Sequence, residues 1–123
     1  MKLKKLEKKY DLDERLIGFA SLAIDIAEKL PKTFAGNHLA NQLIRSATSP
    51  CLQYGEAQGA ESRSDFIHKM RIALKELRET KNCLKLIKKK NWCANEQLET
   101  CLDENHQLIL IFAKSLETAK IRK

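Results

Sequence analysis

Glycine and proline are scarce in this chain, with four Gly and two Pro among 123 residues. A β-sandwich or barrel needs turn residues about every ten positions, and the sequence does not supply them. Aromatic residues make up only 6%, so a core must be assembled mainly from Leu, Ile and Ala, which suits helices. No stretch reaches the roughly 18 uncharged apolar residues that a membrane span requires. The best candidate, Leu16 to Ala27, is interrupted by Asp25. Five lysines fall between Met1 and Lys9, but no apolar core and small-residue cleavage site follow them as in a secretory signal. The chain therefore reads as cytoplasmic, without a membrane partner.

Chemistry-bearing motifs are equally sparse. Cys51, Cys83, Cys93 and Cys101 stand at separations of 32, 10 and 8, with no C-x-x-C pair. Adding His38, His68 and His106 produces no cluster at metal-ligand spacing. Reduced structural thiols are expected, with no metal and no cofactor. Glu56, Glu76 and Glu79 are the notable carboxylates, yet nothing pairs them with a nucleophile, and G-x-S-x-G, phosphate-loop and H-E-x-x-H patterns are missing. Neither an enzyme nor a small-molecule substrate is indicated.

What the chain does contain is helical rhythm. Leu16, Ala20, Ala23, Ala27 and Leu30 alternate steps of four and three, predicting a first helix from about Asp13 to Leu30, capped by Asp11 or Asp13 and stopped by Pro31. Ala40, Leu43, Ala47, Pro50, Tyr54 and Ala57 continue it after a loop centred on Gly36 and Asn37, with a kink at Pro50 and an end near Gly59. Ser62 or Ser64 opens a third helix lined by Phe66, Met70, Ala73, Leu77, Thr80, Leu84 and Ile87 and running to about Lys90. Asn95 caps a fourth carrying Leu98, Leu102, Asn105, Ile109, Phe112, Leu116 and Ala119. The economical solution is one all-α domain over residues 1–123, an antiparallel up-down-up-down four-helix bundle with a basic, frayed end at residues 1–10. Asn105 at a seam position either sets register or meets the polar group Gln42, Arg45, Ser46 and Ser49.

Two patterns exceed what a solitary bundle needs. Nine of twelve positions from Leu16 to Ala27 are apolar, including Ile17, Phe19, Leu22, Ile24 and Ile26 outside the seam, and in helix four Leu110 and Ile111 cannot face the same core as Ile109 and Phe112. A homo-oligomer joined through the outer faces of helices one and four, by Ile17, Phe19, Ile24, Leu110 and Ile111, is expected. Charge is lopsided as well. From Arg63 to Lys90 there are ten Lys or Arg against three Asp or Glu, a net +7 equal to that of the whole chain. At about 100° and 1.5 Å per residue, Arg71, Lys75, Arg78, Lys85 and Lys89 fall within about 80° of one another along roughly 27 Å. Such a ridge could follow a phosphate backbone. It could also be a solvated face, partly neutralised by Glu79 and neighbouring helices.

Particular strings carry a resemblance. Asp11-Leu12-x-x-Arg15, Phe19-Ala20, Leu30-Pro31-Lys32-Thr33, Gln42-Leu43-Ile44-Arg45-Ser46-Ala47-Thr48-Ser49, Tyr54-x-Glu56-Ala57 and Ser62-x-x-Asp65-Phe66-Ile67-x-Lys69 resemble the bacterial four-helix-bundle, or intervening-sequence, proteins. These are encoded by insertions in large-subunit ribosomal RNA genes and are often filed as ribosomal proteins. The likeness runs over about residues 10 to 116. Gln53 stands where that family usually has Asn. The resemblance implies a left-handed bundle, a ring-shaped homopentamer and no established catalysis. A similar protein of diversity-generating retroelements binds RNA and a reverse transcriptase through a basic surface. The expected function is a non-catalytic oligomer that binds structured RNA or a nucleic-acid-binding protein through Arg71, Lys75, Arg78, Lys85 and Lys89. The alternative is a protein-interaction scaffold with no direct nucleic-acid contact. Arg45, Ser46, Ser49, Glu56 and Glu76 are expected to form a structural polar network where helices two and three meet.

Overall fold

Four-three spacing of apolar residues becomes four long helices: α1 (Lys2–Glu28), α2 (Phe34–Gln58), α3 (Arg63–Lys90) and α4 (Asn95–Ile121). The computed structural model describes the backbone of residues 2–93 and 95–121, and the side chains of residues 12–93 and 96–121. Consecutive helices pack on one another, and α1 closes the ring against α4. Cross-helix pairs fix the antiparallel sense: Arg15 meets Glu104, Lys29 meets Gln97, Arg45 meets Glu76 and Glu56 meets Lys69. The chain is an all-α four-helix bundle.

The seams lie where the periodicity puts them. Leu16, Ala23, Leu43, Ala47, Met70, Leu77, Leu84, Leu98 and Phe112 are buried in one continuous core. Phe19 and Ile26, expected on the outside of helix one, are buried with them. A helix wedged between two neighbours buries two adjoining stripes rather than one, so Phe19 is filled by the monomer's own core and offers nothing to a partner. Tyr54 reaches across to Phe112, edge to face with ring centroids 6.0 Å apart.

Helix ends follow local chemistry, with some corrections. α1 starts at Lys2 rather than near Asp13. Leu3, Leu6 and Tyr10 continue the helical spacing backwards without Gly or Pro, so the expected frayed segment has helical backbone and Asp11 and Asp13 are interior residues, not caps. Side chains before Leu12, and the expected Asn95 cap, lie outside the described residues. Gly36 belongs to the first turn of α2, where Thr33 Oγ1 accepts its N–H at 3.1 Å. Pro50 sits inside α2, which continues through it to Gln58. Ser62 Oγ accepts the Asp65 N–H, and Asn91 closes α3 in the left-handed region at φ 57°.

The four thiols are free. Burial pushes Cys83 up to about 11 and Cys101 up to about 12, with smaller contributions from Glu79 beside the former and from Cys93 and Glu104 beside the latter. These two are packing residues rather than nucleophiles. Asn105 is buried and donates through Nδ2 to the Leu77 carbonyl on α3 at 3.0 Å, not to the polar group of α2. Its Oδ1 has no partner among the described residues.

Candidate nucleic-acid interface

Helix α3 turns Met70, Ala73, Leu77, Thr80, Leu84 and Ile87 inward, which leaves the opposite face to its charged residues. Arg71, Lys75, Arg78, Lys85 and Lys89 are all exposed there. None of them forms an ion pair with a described residue. The decisive detail is where the acids of α3 point. Glu76 and Glu79 both turn to Arg45 on α2, the first at 3.0 Å from Nη1. Asp65 is spent in the first turn. Glu79 therefore does not neutralise the ridge, contrary to the bland expectation, and the five cations stand together unopposed.

The polar residues between α2 and α3 divide into three separate contacts. Arg45 holds Gln42, Glu76 and Glu79. On the adjoining core-facing positions, Thr80 Oγ1 donates to Ser46 Oγ at 2.8 Å, both fully buried. Glu56, about 16 Å along α2 from Arg45 at 1.5 Å per residue, pairs with Lys69 at 2.7 Å and raises the lysine's pKa by that hydrogen bond. Ser49 does not join them. The single network expected from the sequence is thus three clamps on one helix pair, and neither Ser49 nor Glu56 is linked to Arg45. Replacing Arg45 by Ala leaves the largely buried Glu76 carboxylate without its cation, so thermal unfolding should show a loss of about 1 kcal/mol, or roughly 4 °C.

The oligomer residues separate too. Ile17 and Leu110 are each 52% exposed, and Ile24 and Ile111 are half-buried. Ile17 and Ile24 line a groove of about 340 Å³ with Thr48, Cys51 and Leu52 of α2. Arg15 pairs with Glu104 across α1 and α4 at 2.8 Å, and Gly18 and Leu22 of α1 line a second groove of about 290 Å³ with Thr100 and Asp103 of α4. The exposed apolar surface of α1 therefore adjoins Cys51 and Leu52 of α2. Asp13, one turn before Ile17, lies close enough to raise the pKa of Cys51 and Tyr54, although burial is the larger cause for both.

Comparison with known proteins adds the context. The model of the 23S rRNA-intervening sequence protein family matches residues 8–114. The chain belongs to that family. A solved structure from Bacteroides thetaiotaomicron VPI-5482, of a protein with unknown function from the S23 ribosomal protein family, is 29% identical to the chain. It aligns with 85% of this chain and 96% of its own, with a TM-score of 0.77. No curated protein matches the chain. No helix among the described residues is long and apolar enough to cross a membrane, and no group of three or more His, Cys, Asp or Glu among them could hold a metal ion.

Sequence reasoning found the ridge because periodicity and charge count are both properties of one helix. It missed the groove residues Cys51 and Leu52, which become neighbours of Ile17 only when α1 and α2 pack. Leu52, 65% exposed amid a helix of small and polar residues, was the available signal.

Proposed function

We propose that this intervening-sequence protein is a non-catalytic cytoplasmic homo-oligomer, a pentamer as its resemblance to ring-forming relatives implies, that binds structured RNA or a ribonucleoprotein partner through α3. What carries this reading is the unopposed row Arg71, Lys75, Arg78, Lys85 and Lys89, from which Glu76 and Glu79 are withdrawn. Phosphate contacts of this kind fix a backbone without reading bases, which fits recognition of shape rather than sequence. Copies arranged in a ring repeat the row and multiply the phosphates engaged at once. The exposed Ile17, Leu52 and Leu110 supply apolar surface for joining copies. A family first met in ribosomal RNA genes agrees with an RNA ligand.

Filter binding to a structured RNA, a DNA duplex and heparin, alongside light scattering, tests the proposal. RNA should bind more tightly than DNA or heparin, and the particle should have several times the 14.1 kDa mass of one chain. Ile17→Lys with Leu52→Glu should reduce that mass while retaining helix content. No RNA retained at about 50 mM salt, where phosphate contacts are strongest, overturns the RNA reading and leaves a protein-interaction scaffold. A 14.1 kDa particle at micromolar concentration overturns the oligomer.

A further inference from the structure

At the end of the bundle where α3 begins and α4 finishes, a cavity of about 500 Å³ opens between the two helices. That volume lies within the range of about 300–1,000 Å³ usual for small-ligand sites. Its lining is mixed: the basic Arg63, the aromatic Phe66, the hydroxyl-bearing Ser115 and Thr118, and Ala119. Arg63 and Phe66 are one turn apart on α3, and the other three share one turn of α4, so antiparallel packing brings the two sets face to face. Arg63 is exposed and forms no ion pair with a described residue. Phe66 rests one side on the core and presents the remainder to the cavity.

The hydroxyls are distinctive. Thr48 and Thr100 each donate to the carbonyl four residues back in their own helix. Ser115 and Thr118 make no such bond and no other side-chain hydrogen bond among the described residues, so both remain available to a guest. Ser115, Thr118 and Ala119 also lie just beyond residues 8–114, the extent of the family match.

We propose that this cavity is a nucleotide subsite. An unstacked base lies against Phe66, its phosphate pairs with Arg63, and Ser115 and Thr118 hydrogen-bond the base edge. An aromatic face, one cation and two neutral hydroxyls are the groups that hold a single flipped-out nucleotide. Arg71, the first member of the cationic row, is about 12 Å further along α3 and about 80° round it from Arg63 at 1.5 Å and 100° per residue, so an RNA strand on the row reaches the cavity by curving round the start of α3. As a site within a longer RNA, this inference rests on the function proposed above. As a site for one nucleotide, it stands without it.

Two probes separate these sources. Adenosine 5′-monophosphate titrated into the labelled full chain should shift the amide resonances of Phe66, Ser115 and Thr118. Arg63→Gln, an exposed change that leaves the core intact, should weaken the effect about ten-fold, as should Phe66→Leu. An RNA hairpin with one unpaired adenosine should lose about ten-fold in affinity for either variant, while the fully paired hairpin is unaffected. Shifts with the mononucleotide but no binding of either hairpin support the subsite and overturn the RNA reading alone. Absent shifts at these three residues, or variants that bind both hairpins as the parent does, overturn the subsite.

Discussion

Substituting Gly36 by Ala should lower the melting temperature by about 10 °C, the largest effect expected of any single methyl group in the bundle. A Cβ at this position would stand 1.9 Å from the Pro31 carbonyl oxygen and 2.9 Å from its carbon. Both are backbone atoms, held by the turn that leaves α1 and by the Thr33 cap that accepts the Gly36 N–H. Neither can move without unseating the first turn of α2. Overpacking against fixed backbone costs about 3 kcal/mol, which for a chain of this length corresponds to the stated shift. Gly18 and Gly55 are the internal controls. Each is an exposed helical glycine with nothing within 4 Å of an added Cβ. Ala at either site should stabilise the helix by about 0.5–1 kcal/mol, because Gly loses more backbone freedom on folding. The same substitution thus changes sign between sites. Melting followed by circular dichroism decides it; a Gly36→Ala protein as stable as the parent would mean the Pro31 turn yields freely.

Reversing Arg71, Lys75 and Arg78 together to Glu should weaken RNA binding at least 100-fold at about 0.1 M salt. All three side chains are exposed and none forms an ion pair with a described residue, so melting should stay within about 0.5 kcal/mol of the parent. The salt dependence is the more telling readout. Three fewer phosphate contacts should flatten the slope of log affinity against log salt by about 2 to 3. Unchanged affinity with an unchanged slope would show that RNA, if bound, is held elsewhere. Loss of affinity accompanied by loss of folding would instead make the ridge structural, which its exposure argues against.

The two predictions differ in how far the sequence alone could reach them. Arg71, Lys75 and Arg78 share a face because 3.6 residues complete a turn, and no other part of the chain is needed to know it. Whether that face is neutralised is another matter. Glu79 is close enough in sequence to oppose the ridge, but Arg45, 34 residues earlier, draws it to α2. Gly36 looked like a loop residue beside Asn37. Only the return of the chain past Pro31 shows why no side chain fits there. Likewise, Ser46 is legible as a polar-network residue and Thr80 as a seam residue, but only packing buries both and makes each hydroxyl the other's partner.

Much of the architecture is a local property: the seams, the Ser62 cap, the end of α2 near Gly59 and the charge of α3 follow from spacing and residue type, each acting within a few turns of helix. The burial of Phe19, the continuation of the α1 apolar surface on to Cys51 and Leu52, the division of the α2–α3 contacts and the cavity between Arg63 and Ser115 were decided by tertiary structure. Each depends on which distant helix lies alongside and in what register. Periodicity specifies one helix's faces, whereas a contact between helices is a joint property of two surfaces that the linear pattern leaves free to slide and rotate against each other.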